Sequence, residues 1–105
     1  MTTAVKSDAA IELTGISADW GFQGDYPNFA NQGIQVEFIS FTPGAIGDKI
    51  SIKHETDAGA SIFPPAVAPT TRAETVYYYG RQIKPYVDFS ASVLSVGHSL
   101  IVKLS

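Results

Sequence analysis

Residues 77–105 read YYYGRQIKPYVDFSASVLSVGHSLIVKLS, and this stretch decides the fold prediction. It begins with three adjacent tyrosines. Because successive side chains of a strand point to opposite faces, Tyr78 is expected to face one way and Tyr77 and Tyr79 the other. A sheet in one small domain usually has one solvated and mostly polar face. Aromatic residues on both faces therefore predict that the second face contacts another subunit or a ligand.

The same alternation recurs along the rest of the chain in short segments separated by glycine- and proline-containing turns. Strands are expected at residues 10–16, 33–41, 49–54, 61–63, 74–79, 82–87, 93–94 and 98–104. In the last strand, Leu100, Val102 and Leu104 are expected to face inward. Helical periodicity never extends beyond about two turns. The sequence therefore predicts an all-β fold, a single-domain antiparallel β-sandwich or jelly-roll-like domain over residues 1–105 with roughly six to eight short strands.

The strand expected at residues 33–41 changes phase along its length. Three apolar side chains are expected to share its inner face: Ile34, Val36 and Phe38. Strict alternation puts Ile39 and Phe41 on the opposite face, with Gln35. A β-bulge near Ser40, or a crossing between two sheets, would explain the change.

The composition favours a small soluble protein that associates with other proteins. Charged residues make up 16% of the chain, against about 25% in typical soluble domains, and a charge-poor surface gives less protection against association. The net charge of -3 argues against a nucleic-acid partner. The chain has no cysteine and no apolar run long enough to span a membrane. The first ten residues do not resemble a signal peptide, so synthesis in the cytoplasm is expected.

Residues with catalytic or metal-binding chemistry do not form a convincing set. His54, Glu55 and Asp57 are close in sequence, but a zinc site needs three or four converging ligands and no others have suitable spacing. His98 is next to Ser99, yet neighbours on a strand point apart. We therefore predict no enzyme activity, no catalytic residues, no metal site and no cofactor.

Asp48 and Asp88 are the remaining candidates, as a carboxylate pair of the kind that hydrolyses glycosides. Each lies in a turn context, where aspartate commonly bonds to nearby backbone. A structural role is expected for both.

The segment at residues 20–33 is rich in glycine, asparagine and proline, and a loop is expected there. It contains Trp20, Phe22 and Tyr26. Three roles remain open for these rings: closing one end of the core, contacting a neighbouring subunit, or stacking on a sugar.

Two further segments are expected to be extended. Residues 64–75 contain Pro64, Pro65 and Pro69, and proline favours extended polyproline geometry. This segment is predicted to be an arm that docks on a neighbour, with an ordinary surface loop as the alternative. Residues 1–9 are expected to form a flexible N-terminal arm.

Residues 34–55 and 77–104 resemble a group of small virion proteins encoded by tailed bacteriophages. The resemblance covers about residues 33–105, whereas residues 1–32 and the proline segment have no counterpart. The matching positions are Pro43, Gly44, Gly47, Asp48, Gly80, Arg81, Lys84, Pro85, Tyr86, Asp88, Gly97 and His98.

The resemblance implies a non-enzymatic virion structural protein, in particular a capsid decoration or cement protein, made in the host cytoplasm and located in the virion. Its expected partners are copies of itself and the major capsid protein or other virion proteins. Contacts with these partners are expected at the three prolines and at five further residues: Tyr77, Tyr79, Arg81, Lys84 and Tyr86. The alternative is a carbohydrate- or receptor-binding β-module of a phage tail or other assembly, which would contact a glycan through Trp20, Phe22 and Tyr26.

Overall fold

The structure is a computed structural model that describes residues 3–7, 9–29, 31–56, 58–63 and 67–104. The strands in these ranges are β1 (Thr3–Lys6), β2 (Ala10–Thr14), β3 (Trp20–Gly21), β4 (Ile34–Thr42), β5 (Ile52–His54), β6 (Glu74–Ile83), β7 (Pro85–Val87) and β8 (Ser99–Leu104). One α-helical turn, α1 (Phe22–Asp25), follows β3, and short 3-10 turns occur at Pro27–Phe29 and Phe89–Ala91.

The strands form two antiparallel sheets. The larger sheet has the order β1-β2-β8-β4-β6 and the smaller sheet the order β3-β7-β5. Strands far apart in sequence are neighbours, because β2 pairs with β8, β3 with β7 and β4 with β6. This nested pairing, divided between a five-stranded and a three-stranded sheet, is jelly-roll-like, and the two sheets confirm the predicted all-β, sandwich-like fold class.

The inner faces of both sheets share one hydrophobic core. Leu13, Leu100 and Val102 of the larger sheet are fully buried, as is Val87 of the smaller sheet. Phe22 of α1 closes the core and is also fully buried. Burial of each such side chain stabilises the fold by about 1.5–3 kcal/mol. The inward positions predicted for β8 are confirmed for Leu100 and Val102, whereas the third, Leu104, is only half-buried.

β4 contains a bulge, but at a different place from the one predicted. Its register with both neighbouring strands shifts between Val36 and Phe38, before Ser40 is reached. The extra residue inverts the alternation, so Ile39 and Phe41 are buried with Val36. Phe38, which was predicted to point inward, lies on the outer face instead. The bulge thereby keeps both halves of β4 in contact with the core.

Several predicted segments differ from the structure. The strand predicted at residues 49–54 is shortened to β5, and the strands predicted at residues 61–63 and 93–94 are reduced to isolated bridges, of Ser61 with Lys53 and of Val93 with Lys49. Residues 3–6 of the predicted flexible arm form β1, which pairs with β2. Residues 20–33 include β3, α1 and a 3-10 turn besides loop. The strand predicted at residues 82–87 is divided, because Ile83 ends β6 and Pro85 begins β7 in the other sheet. Proline has no N–H to donate to a ladder, which favours a change of sheet at this point.

Candidate interaction surface

Three aromatic side chains form a continuous patch on the outer face of the larger sheet. The ring centroids of Phe38 and Tyr77 are 5.7 Å apart, and those of Tyr77 and Tyr79 are 5.9 Å apart with nearly parallel planes. Tyr77 is 54% exposed and Tyr79 83% exposed. We call Phe38, Tyr77 and Tyr79 the aromatic patch. Sequence reasoning missed Phe38, because its outward direction depends on the position of the β4 bulge.

The backbone of β6 bulges at the patch. Its register with β4 passes from Tyr77 opposite Phe38 to Arg81 opposite Val36, so the three residues between Tyr77 and Arg81 face a single residue of β4. Tyr79 has a φ of 51° and the following glycine a φ of 79°. A left-handed conformation costs a residue with a side chain about 1–2 kcal/mol. Strain of this kind is concentrated at functional sites.

Tyr78 points away from the patch, as the alternation predicts. Its ring is half-buried against the core, and its hydroxyl donates a hydrogen bond to the carbonyl of Ile62. Burial raises the pKa of Tyr78, and the positive charge of Arg81 partly opposes that rise. Tyr78 therefore connects β6 to the segment after β5.

Arg81 does not share the face of the two exposed tyrosines. It pairs with Val36, which is fully buried, and directly opposed residues of an antiparallel pair lie on the same side of a sheet. Arg81 thus lies on the inner side of β6 and is exposed at the edge of the sheet. Simple alternation would put it beside Tyr77 and Tyr79, but the bulge changes its side.

Lys84 and Tyr86 make contacts within the chain. The Lys84 Nζ is 3.7 Å from the Glu55 Oε1. Tyr86 is half-buried between two inward residues of β7, so it points to the outer side of the smaller sheet. Its hydroxyl donates to Asp19 Oδ2 at 2.8 Å. Of the five residues predicted to form one contact surface, the structure brings together only Tyr77 and Tyr79.

The aromatic residues of the predicted loop mainly close the core. Phe22 is fully buried and presents no surface to a glycan or a subunit, which corrects its predicted contact role. Trp20 and Tyr26 are half-buried and pack against the core cluster. The core-closing interpretation is confirmed for Phe22, whereas Trp20 and Tyr26 also keep part of their surface exposed.

The proline segment is anchored to the domain near one end. Pro64 and Pro65 lie outside the described residues, and Pro69 is exposed. The adjacent Ala68 is buried; its N–H donates to the Asp48 carbonyl at 2.8 Å, and its carbonyl accepts from the N–H of Gly47 at 2.9 Å. A docking role for residues 64–69 stays a prediction.

Asp48 joins two turns that are distant in sequence. Its Oδ2 accepts hydrogen bonds from the N–H groups of Gly44 at 3.0 Å, Ala45 at 3.3 Å and Ser95 at 2.8 Å. Its Oδ1 accepts a hydrogen bond from the Ser95 hydroxyl at 2.6 Å. Burial by itself raises the pKa of Asp48, but these hydrogen bonds, chiefly those from Ser95, outweigh it and lower the pKa below 3.8. This confirms the structural role expected for Asp48.

Asp88 has its own set of partners. Its Oδ1 accepts the Ser90 hydroxyl at 2.8 Å, and its Oδ2 accepts Lys53 Nζ at 3.0 Å. These two interactions, in that order, hold the pKa of Asp88 below 3.8 despite its burial. Asp88 is a structural residue, as expected.

His98 extends the Asp48 network. Its Nε2 accepts the N–H of Ile16 at 2.9 Å, and its Nδ1 lies 2.7 Å from the Ser95 carbonyl oxygen. Both contacts are satisfied when the neutral ring carries its proton on Nδ1. Two separate motifs of the resemblance, around Asp48 and around His98, therefore meet in one hydrogen-bond network between turns.

No protein-family model, curated protein or solved structure matches this chain. The resemblance to phage virion proteins therefore stays a prediction made from the sequence motifs. Within the described ranges, no three histidine or acidic side chains are grouped as metal ligands. None of the helical segments described is long and apolar enough to cross a membrane.

Proposed function

We propose that this protein is a structural component of a bacteriophage virion, a capsid decoration or cement protein that binds the shell lattice and other copies of itself. The proposal rests on Tyr79, which is strained, 83% exposed and stacked on Tyr77. A ring this exposed contributes little to the stability of its own chain. It becomes favourable when a partner covers it, and tyrosine is enriched at protein interfaces.

The fold supports the proposal by analogy. Jelly rolls occur in viral capsid and lectin domains, although a fold by itself does not determine function. The low charged fraction of 16% also favours a protein that works in an assembly.

The carbohydrate- or receptor-binding module remains the second candidate. The link between jelly rolls and lectins favours it, as do the partly exposed rings of Trp20 and Tyr26. A glycan array distinguishes the two functions: binding that is lost in Trp20→Ala would support the module, whereas no binding to any glycan would count against it.

The virion assignment is tested by counting copies. Particles from the phage whose genome encodes this chain are purified and analysed by quantitative mass spectrometry against the major capsid protein. We expect hundreds of copies per particle, because a shell lattice repeats each binding site many times. Absence of the protein from purified particles would reject the assignment.

The role of the aromatic patch is tested on particles that lack the protein. Purified wild-type protein and a Tyr77→Ser/Tyr79→Ser variant are added, and bound protein is measured after sedimentation. We expect the variant to fold normally and to lose most of its binding. Phe89→Ser is the matched control, because Phe89 is also partly exposed, at 37%, but lies outside the patch. Unchanged binding by the tyrosine variant would exclude the patch as the contact.

A further inference from the structure

The strand order leaves one side of β6 unpaired. β6 pairs with β4 on its other side, and no backbone hydrogen bond joins its free side to another described segment. The free N–H and carbonyl groups of an edge strand are a template for a further strand. β6 is ten residues long, whereas β1, at the opposite edge, has four. β6 is therefore the longer available edge.

The bulge limits which part of β6 can accept another strand. Tyr79 and Gly80 both have left-handed φ angles, so regular strand geometry ends at Tyr78. The regular part is Glu74–Tyr78, whose alternation is intact against β4 as far as Tyr77.

We infer that two copies of this chain pair antiparallel along Glu74–Tyr78 of β6, with the two-fold axis at Val76. This inference deepens the proposed self-association by naming the strand that mediates it. Antiparallel pairing around Val76 places Thr75 opposite Tyr77 of the second copy and joins the two larger sheets into one. Because both copies use the same surface, the contact closes as a dimer and does not propagate into a fibre.

Charge complementarity identifies a second copy as the occupant. Glu74 pairs with Phe41 and Arg81 with Val36, and both of these β4 residues are buried, so the two charges lie on the same side of β6. Neither Glu74 nor Arg81 forms an ion pair with another described residue. In this register Glu74 of each copy lies opposite Tyr78 of the other. Because the β6 bulge places Arg81 only two β4 positions beyond Tyr77, Arg81 comes within reach of Glu74 of the other copy, and the ion pair forms twice.

These two charges cannot satisfy each other within one chain. Phe41 and Val36 are five positions apart along β4. At about 3.4 Å per residue, Glu74 and Arg81 are about 17 Å apart at the backbone. Any compensation between changes at these two positions must therefore occur between chains.

The aromatic patch also fits this pairing. Tyr77 of one copy and Tyr77 of the other become diagonal neighbours, at about 7–8 Å, a separation that aromatic side chains can bridge. The rings that are exposed in one chain would then line both sides of the two-fold axis on the outer face.

A charge exchange tests the dimer. Association of purified wild-type, Glu74→Arg, Arg81→Glu and the double variant is measured by sedimentation equilibrium, with circular dichroism as the check of folding. We expect a wild-type dimer, a dissociation constant raised about tenfold or more in each single variant, and recovery to near the wild-type value in the double variant. Glu12→Arg is the control: it makes the same charge change as Glu74→Arg at an exposed position on β2, and we expect no effect.

Three results would overturn the inference: a wild-type monomer at all concentrations, a dimer insensitive to both single changes, or a double variant no better than the single ones. The virion assignment is judged separately by copy number in particles. A protein missing from particles that still shows the charge rescue would reject the virion role and support the β6 dimer. A protein abundant in particles but monomeric in solution would support the virion role and reject the β6 dimer.

Discussion

Tyr79 combines an exposed aromatic side chain with a backbone conformation that suits glycine. Its backbone φ is 51°, and its ring is 83% exposed, so burial of the ring does not compensate for the backbone strain. The backbone strain lowers the stability of the isolated chain, and the exposed ring at the same residue contributes little to offset it. Such a residue is best explained by an interaction outside the chain.

Replacing Tyr79 by glycine should separate stability from binding. Glycine relieves a left-handed strain of about 1–2 kcal/mol. This gain is larger than the destabilisation of about 0.5–1 kcal/mol that comes from the extra unfolded-state entropy of glycine. We expect Tyr79→Gly to raise the free energy of unfolding by about 0.5 kcal/mol in urea titrations while weakening binding to particles. Tyr77→Gly, within regular strand, should instead destabilise. A loss of more than about 1 kcal/mol in Tyr79→Gly would show that the ring stabilises its own fold.

Replacing Asp48 by asparagine, a side chain of nearly the same size, should lower the stability of the fold strongly. The Asp48 carboxylate accepts four hydrogen bonds, from three N–H groups and one hydroxyl. An asparagine has one acceptor oxygen and would direct an NH₂ at donors. We expect Asp48→Asn to lower the free energy of unfolding by about 2–4 kcal/mol, measured by urea denaturation at pH 7. The control Glu12→Gln changes the same charge at an exposed site; equal losses in both variants would contradict a special role for Asp48.

At the scale of elements, close contacts between turns decide which residues are tolerated. A Cβ added to Gly44 would lie 2.4 Å from the carbonyl oxygen of Val96 and 2.5 Å from that of Ser95. The turn before Asp48 and the turn before His98 are therefore packed backbone against backbone. The glycine is required here by this close approach.

Gly44→Ala should force these two turns apart. We expect a loss of about 1–3 kcal/mol in the free energy of unfolding, the usual cost of overpacking. Gly24→Ala is the matched control, because a Cβ at Gly24, in α1, meets no atom within 4 Å. If Gly44→Ala were as stable as the control, the packing of the two turns described above would be wrong.

The β4 bulge makes opposite predictions for two adjacent residues. Ile39 is fully buried, whereas Phe38 lies on the outer face against Tyr77. We expect Ile39→Ala to cost about 2–4 kcal/mol of unfolding free energy and Phe38→Ala less than about 1 kcal/mol, although phenylalanine is the larger side chain. Thermal and urea denaturation of both variants measure this difference. The reverse order would place the bulge after Phe38, as simple alternation suggests.

For the whole molecule, two buried carboxylates link folding to pH. The pKa values of Asp48 and Asp88 are both lowered in the folded state from 3.8. The unfolded chain therefore binds protons at these groups at higher pH than the folded chain does. Their stabilisation is complete above the unfolded value and is lost as the pH falls through the folded values.

The stability of the protein should accordingly fall steeply under acid conditions. We expect the urea midpoint to change little through these two groups between about pH 7 and pH 5, and to drop below about pH 4. The double variant Asp48→Asn/Asp88→Asn should be less stable at neutral pH and show a flatter acid limb. Glu12→Gln should keep the wild-type profile. An unchanged acid limb in the double variant would show that other groups govern acid unfolding.

The sequence pattern predicted the fold class and much of the core. Alternation depends only on neighbouring residues, so the inward positions of Leu100 and Val102 and the shared face of Tyr77 and Tyr79, opposite to Tyr78, could be predicted from the sequence. The structural roles of Asp48 and Asp88 were also predicted, from their turn contexts. Tyr77 and Tyr79 of the aromatic patch were therefore predictable from the sequence, but Phe38 was not.

Only the tertiary structure decided which distant segments meet. The pairing of Asp48 with Ser95 spans 47 positions, and the unpaired side of β6 follows from the strand order of the whole sheet. The bulges reversed the predicted sides of Phe38 and Arg81, because one misplaced residue inverts every later side chain in a strand. Local sequence sets the alternation within each strand. Its phase relative to the core and the neighbours of each strand depend on packing between residues that the chain brings together only when it folds.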